Sequence, residues 1–213
     1  MRPSFGNEFG GSFILIEPGE ILLGNRNITV TEPYFIGARP VTQIEWSSIM
    51  ESNPSRFQEG WSSGLRPVEK VSWLDVQKYI AKLNEIDTEP RLGLVGSWRL
   101  PTAEEWEYAC RAGSKTRWFH SDKDSELDEV GWHAGNSGAT TREVGQKKAN
   151  QWGLFDMHGN VSEWTASIEG LKRITKGGSW LMESESTTSS ASLKVNTDKR
   201  SDGIGFRLVW API

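Results

Sequence analysis

The chain has 213 residues, with 24 basic and 28 acidic side chains and a formal net charge of −4. This length fits one domain with its own core, so residues 1–213 are expected to form a single domain. The acidic balance leaves no broad basic face for a phosphate backbone, which argues against nucleic acid as a partner. No apolar run is long enough to cross a bilayer, and the N-terminal residues lack the pattern of a secretory signal. We therefore expect no membrane insertion, and a protein that is cytoplasmic or exported without a classical signal peptide.

Tryptophan and glycine are unusually frequent, with 11 and 22 residues respectively. Large rings beside flexible glycines predict a loop-rich fold in which aromatic side chains hold irregular backbone in place. The single cysteine, Cys110, excludes an intrachain disulfide and a thiol-rich metal site.

The first predicted elements lie in residues 13–24, where two short apolar segments are separated by Pro18 and Gly19. This pattern predicts a β-hairpin that turns at the Pro-Gly pair. Three helices are then predicted from one local signal, a hydroxyl residue followed three positions later by an acid. The pairs are Thr42 with Glu45, Ser72 with Asp75, and Thr102 with Glu105.

The helical periodicity indicates which side chains face the core. In the second helix an apolar stripe is formed by Trp73, Val76, Ile80 and Leu83. In the third helix Trp106, Ala109 and Cys110 share a face, which favours a buried structural cysteine over a reactive thiol. Gly113 follows at the place of a left-handed stop. Polar loops are predicted at residues 122–126 and 136–141, held by Trp118, Phe119, Trp132 and Trp152.

Four ordered segments carry a resemblance to a known family: residues 99–108, 150–164, 177–180 and 205–209. They resemble the sulfatase-modifying-factor family, which includes the formylglycine-generating enzymes, and the resemblance runs from about Gly19 to Val209. It implies an α+β fold of the C-type-lectin-like, formylglycine-generating-enzyme type. Such a fold has short strands, two to three helices and much irregular chain.

A calcium site is suggested by the oxygen-rich loop from Asp156 to Glu163, since hard oxygen ligands on a tight loop suit Ca²⁺. The resemblance implies a structural calcium ion held by the side chains of Asp156 and Glu163 and the backbone oxygens of Gly159 and Val161. The alternative is that Asp156 and Asn160 cap turns while Glu163 is solvated.

Catalysis is not expected. The copper-dependent formylglycine-generating enzymes carry two cysteines at the places that match Met182 and Thr187 here, and neither residue replaces a thiolate. No copper or iron is therefore expected, and no catalytic residue is assigned. Ser179 has no evident base beside it, and His158 is interpreted as a surface or supporting residue. The three histidines are too scattered for a metal triad: His120, His133 and His158.

The composition changes at residues 181–204, which contain no aromatic residue and no proline and are rich in Ser, Thr, Asn and Asp. We call this segment the window. It resembles the diversified segment in the variable proteins of diversity-generating retroelements, a non-catalytic branch of the same fold. An ordinary solvent-facing loop is the alternative interpretation.

The sequence thus predicts a non-catalytic domain that binds a protein partner or a surface ligand through the window. Trp118 and Trp132 are candidate aromatic anchors at its rim. Two alternatives remain open: a metal-dependent oxidase with relocated ligands, and a structural accessory of a bacterial or phage assembly. The candidate contact residues in the window are Met182, Glu183, Ser184, Glu185, Ser186, Thr188, Ser190, Ser192, Lys194, Asn196 and Asp198.

Overall fold

A computed structural model describes residues 2–213, and within them the chain forms three α-helices and thirteen short β-strands. None of these helices combines the length and apolar character needed to cross a membrane. The helices are α1 (Gln43–Met50), α2 (Trp73–Ile86) and α3 (Ala103–Arg111). The strands are β1 (Ser4–Gly6), β2 (Ser12–Ile16), β3 (Gly19–Leu23), β4 (Arg26–Val30), β5 (Tyr34–Gly37), β6 (Gly96–Arg99), β7 (Gly131–Trp132), β8 (His158–Gly159), β9 (Ser162–Glu169), β10 (Lys172–Lys176), β11 (Ser192–Val195), β12 (Ile204–Gly205) and β13 (Val209–Pro212).

All three predicted helices are confirmed, and each begins with a complete capping box. In α3, for example, the Thr102 hydroxyl accepts from the Glu105 N–H at 3.0 Å, and the Glu105 carboxylate accepts from the Thr102 N–H at 2.8 Å. These bonds satisfy backbone donors that have no partner inside the helix. The left-handed end of α3 begins at Ala112, with φ 47°, and includes the expected Gly113, with φ 93°.

The predicted apolar stripe of α2 is largely confirmed. Val76, Ile80 and Leu83 are buried, and Tyr79 joins them. Trp73 is only half-buried, and its indole N–H donates to the Thr165 carbonyl at 3.1 Å.

The predicted hairpin is wrong in its pairing. Strands β2 and β3 do form on either side of Pro18, but β2 pairs with β1 and β5, whereas β3 pairs with β4. The hairpin lies one strand later, where Gly24 adopts a positive φ of 60°. Both faces of β2 are apolar, so it lies inside a sheet that is covered on each side.

This five-stranded sheet, in the order β1-β2-β5-β13-β6, separates two hydrophobic cores. Alternate residues face opposite sides: Phe35 and Trp210 pack with α1 and α2, whereas Ile36 and Val209 pack with α3. A second sheet, in the order β11-β10-β9-β12, lies beside this frame and carries the window. The window therefore rests on a body whose main sheet is packed on both faces.

Candidate functional site

The window forms an edge of the four-stranded sheet together with two turns. After Trp180 the chain makes a 3-10 turn at Ser184–Thr187 and then enters β11, which pairs only with β10 among the described strands. Beyond β11 the chain is held against α2, because the Leu74 N–H donates to the Thr197 carbonyl at 3.3 Å and Arg200 forms an ion pair with Asp75 at 2.7 Å.

Three consecutive residues, Thr187 to Ser189, anchor the window to the body and are buried. The Thr187 hydroxyl donates to the Ser184 carbonyl at 2.8 Å and accepts from the indole N–H of Trp118 at 3.2 Å. The Ser189 N–H donates to the Arg117 carbonyl at 2.8 Å. The backbone of the window is thus fixed from beneath, while side chains on either side of these residues face solvent.

Most predicted contact residues of the window are exposed, but three predictions need correction. Ser184 and Thr188 are buried because the turn packs them against the body. Trp118 is fully buried with its indole N–H bonded to Thr187, so it cannot serve as a rim anchor in this conformation. Met182 is half-buried. The exposed residues are Glu183, Glu185, Ser186, Ser190, Ser192, Lys194, Asn196 and Asp198.

Trp132, the other predicted anchor, is half-buried, and the Lys147 ammonium lies 3.9 Å from its ring centroid. It lies near the start of the window, since Ala134, two residues later, donates its N–H to the Met182 carbonyl at 2.9 Å. The position suits a rim contact, although the lysine covers part of the ring.

A polar cleft of about 180 Å³ lies between the window and strands β9 and β10. Ser162 and Thr175 line it and are buried, and within residues 2–213 their hydroxyls have no hydrogen-bond partner. Glu185, which is exposed, is the one ionisable side chain that lines the cleft. Unpaired hydroxyls beneath a carboxylate suit a ligand group that both donates and accepts hydrogen bonds, because buried polar groups are costly without partners. The remaining lining residues are Gly178, Ser186, Ala191, Ser192 and Leu193.

Gly178 brings the backbone of the turn against the window. Its φ is 67°, and a Cβ at this position would overlap the Ser186 carbonyl oxygen. A glycine at position 178 therefore lets the backbone of the turn approach Ser186 closely. Trp180 is only half-buried, and its indole N–H donates to the Asp202 carbonyl at 2.8 Å.

Glu163 is completely buried in an ion pair, so the interpretation of a solvated Glu163 is wrong. Its carboxylate accepts from Arg207 Nε at 2.6 Å and Nη2 at 2.7 Å, and from the Trp106 indole at 2.6 Å. Asn160 does hold a loop: its side-chain amide exchanges hydrogen bonds with the backbone N–H and C=O of Arg142, at 3.0 and 3.1 Å.

The predicted calcium ligands do not fit an ion as they are arranged. Both oxygens of Glu163 are already paired, and Asp156 offers one free oxygen because its other oxygen accepts from the Gly145 N–H at 2.7 Å. Burial raises the pKa of Asp156 to about 6.

The backbone at Gly159 is closely packed against the Trp132 carbonyl, and Val161 packs its side chain against Gly205. Across residues 2–213 no group of three or more His, Cys, Asp or Glu side chains is placed to hold a metal. The paired carboxylate of Glu163 therefore disagrees with the calcium ion that the resemblance implies.

His158 and Cys110 are both fully buried, which excludes the surface alternative for His158, leaves its supporting role, and confirms the structural cysteine. His158 Nε2 accepts from the Phe119 N–H at 3.1 Å, so Nδ1 carries the proton and donates to the Thr187 carbonyl at 2.8 Å. Burial lowers the pKa of His158 to about 3 and raises the pKa of the Cys110 thiol to about 12. Both side chains are neutral at physiological pH.

A buried charge cluster next to the window was not predicted from the sequence. Glu107 is bonded by Arg26, Arg111 and Lys176, and the Lys176 ammonium also donates to the Ser190 carbonyl at 3.0 Å. The spacing of Glu107 and Arg111 is that of an ordinary surface pair on a helix, which conceals their burial. The sequence signal that could have revealed the charge cluster is the position of Lys176, a lysine directly before the closely packed Gly177.

Comparisons with known proteins support the fold. A family model described as the sulfatase-modifying factor enzyme 1-like domain matches residues 6–212. The solved structure of Treponema denticola variable protein 1 is similar over the whole chain, with a TM-score of 0.86, 26% identity, and coverage of 100% of this chain and 99% of that one. The predicted α+β class and its formylglycine-generating-enzyme type are confirmed.

Two curated relatives are also similar. The chaperone protein LppX of Paenibacillus barcinonensis is 28% identical over 94% of this chain and 86% of that protein. The inactive C-alpha-formylglycine-generating enzyme 2 of Bos taurus is 30% identical over 71% of this chain, and the match spans 54% of that protein's length.

Proposed function

Because the chain belongs to the family of sulfatase-modifying factor enzyme 1-like domains, we propose that it is a non-catalytic member of the family that binds a protein partner through the window. The observation that carries the proposal is the construction of the window. Buried Thr187, Thr188 and Ser189 fix its backbone, while small polar side chains on both sides are exposed. Such a surface changes its side chains at little cost to the fold, as binding loops on rigid scaffolds do.

The buried side chains near the window support recognition over reaction. Thr187 has its hydroxyl engaged by Ser184 and Trp118, and the single thiol, Cys110, is buried and protonated at neutral pH. The thiolate is the form of cysteine that binds metals and attacks substrates. The names of the relatives point the same way, since one is called inactive, one a variable protein and one a chaperone.

The test compares two triple variants that each add the same charge. The window variant carries Ser186→Arg, Ser192→Arg and Asn196→Arg, and the control carries Thr29→Arg, Ser48→Arg and Thr88→Arg at exposed positions outside the window. Both variants should keep the wild-type melting temperature by calorimetry. In affinity capture from extracts of the source cells, a protein retained by wild type and by the control should be lost from the window variant.

Two results would overturn the proposal. If the window variant unfolds while the control does not, the window is part of the core. If the purified protein consumes oxygen with a cysteine-containing peptide and added copper, the domain is an oxidase.

We further propose that the window is diversified between copies of the gene, as a variable protein would require. Support comes from the 26% identity to the Treponema denticola variable protein and from the exposure of the Ser- and Thr-rich positions. Sequencing the neighbouring DNA tests this directly. A reverse transcriptase gene beside a near-copy of the window codons is expected, and an isolated gene would contradict it.

A further inference from the structure

One buried carboxylate, that of Glu107, is shared by three cations next to the window. Arg111 Nε lies 3.0 Å from Oε1, and Lys176 Nζ and Arg26 Nη2 lie 3.1 and 3.0 Å from Oε2. The Arg111 and Lys176 side chains are only 5% and 3% exposed, so their charges are poorly screened by water. The cluster therefore has an excess of positive charge.

Two further cations extend this charge to the surface. Lys115 and Arg117 are exposed, and neither side chain has a carboxylate partner in the part of the chain that the structure describes. The Arg117 guanidinium lies over the ring of Trp118, 4.6 Å from its centroid, which leaves its edge N–H groups available to a ligand.

These side chains line an open cleft of about 330 Å³. Arg111, Lys115 and Arg117 supply three cations, and Asp122 is the one acidic residue that lines it. One Asp122 oxygen already accepts the Arg117 backbone N–H at 2.7 Å. Ser190 of the window closes another side of the cleft, so a ligand held here would touch the window.

We propose that this cleft is a binding subsite for an oxyanion, either a carboxylate or a phosphate group. The chain as a whole carries a net charge of −4, so a local cationic excess stands out against the rest of the molecule. Guanidinium groups present parallel N–H donors that match the oxygens of carboxylates and phosphates. A bound anion would also offset the repulsion between Arg111 and Lys176 across Glu107.

The test titrates the protein with two separate probes, inorganic phosphate and a hexaglutamate peptide, at low ionic strength by calorimetry. At least one probe should bind, and binding should weaken as salt is added because the attraction is screened. The variant Lys115→Gln with Arg117→Gln should bind that probe about tenfold or more weakly. The matched control, Lys82→Gln with Lys172→Gln, removes two exposed lysines elsewhere and should bind as wild type does.

The two probes also identify the source of the anion. Binding of phosphate assigns the subsite to a free oxyanion, whereas binding of the peptide alone assigns it to an acidic segment of a protein. The inference fails if neither probe binds saturably, or if both variants lose affinity equally. Because the probes are small anions, this measurement is independent of partner capture by the window.

Discussion

Arg207 ties together parts of the chain that are far apart in sequence. Besides its two hydrogen bonds to Glu163, it donates to the Gly37 carbonyl at 3.0 Å and to the Phe155 carbonyl at 2.9 Å. It has no exposed surface, so every one of its bonds lies in a region of low polarity. Removing one partner of such a pair leaves the other as an uncompensated buried charge.

We expect Arg207→Met to lower the free energy of unfolding by about 3–5 kcal/mol, because Glu163 would keep a buried, unpaired carboxylate. The control Arg200→Met, which breaks the exposed pair with Asp75, should cost less than about 1 kcal/mol. Urea denaturation at pH 7 measures both. Adding Glu163→Leu to Arg207→Met should recover part of the loss, and equal losses in the two single variants would contradict the assignment.

The carboxylate of Glu69 makes the free energy of unfolding depend on pH, and one substitution can isolate its contribution. Its Oε1 accepts the N–H groups of Arg56 and Phe57, while Oε2 has no partner among residues 2–213. Burial raises the pKa of Glu69 from 4.5 to about 7, against the effect of those two N–H groups. The native state therefore binds this proton more tightly than the unfolded chain, so stability from this group falls as the pH rises from about 4.5 to about 7.

Glu69→Gln removes this titration. We expect the difference in free energy of unfolding, variant minus wild type, to increase between about pH 5 and pH 8. Chemical denaturation across that range measures it. The exposed Glu59→Gln should show no such trend. A difference for Glu69→Gln that stays constant with pH would show that the carboxylate ionises normally.

At the level of elements, local sequence signals predicted the helices correctly, whereas the pairing of strands distant in sequence could not be predicted. The capping boxes at Thr42, Ser72 and Thr102 were readable because each bond spans only three residues. The partner of β2 was not readable, because β5 lies some twenty residues later and apolar residues on both faces fit several sheets. In the window, Ser and Thr give no sign of burial, so Ser184 and Thr188 were expected to be exposed.

The turn at Gly178 can be tested against a second glycine with nearly the same backbone angle. Gly178 and Gly170 have φ of 67° and 63°, but a Cβ at Gly170 would meet nothing within 4 Å. Gly170→Ala should therefore cost about 1–2 kcal/mol for the left-handed conformation alone. Gly178→Ala should cost more, because the Ser186 carbonyl must also move.

Thermal unfolding measures both glycine variants. Hydrogen exchange should in addition show faster exchange of the Ser189 amide, which donates to Arg117, only in Gly178→Ala. An equal loss of stability in both variants would contradict this prediction. It would mean that the Ser186 carbonyl moves away from the added methyl group at no cost in free energy.

For the whole molecule, the two cores on either side of the five-stranded sheet hold most of the buried apolar side chains, and the window joins one of them through Ile204 and Val195. The four segments that resemble the family predicted this fold. The change in composition at residues 181–204 predicted where the exposed window lies. The cation cluster around Glu107 was missed, because it joins α3, β4 and β10 and no local pattern relates those elements.

Removal of divalent ions tests whether a bound calcium ion stabilises the folded protein. A protein that binds calcium only in its folded state gains stability from the ion. Because both oxygens of Glu163 are paired with Arg207 and Trp106, we expect the same melting temperature in excess EDTA and in calcium. Scanning calorimetry measures the melting temperature under both conditions. A melting temperature that falls on chelation would instead support the calcium site that the resemblance implies.

The burial of Cys110 has a practical consequence. Its thiol has no solvent exposure and stays protonated at neutral pH, so alkylating reagents should not reach it in the native protein. A cysteine introduced by Ser192→Cys would then be the sole reactive thiol, and a maleimide dye would label that exposed strand at one defined place. Fluorescence from such a dye would report ligand arrival at the window without the background of the many tryptophans.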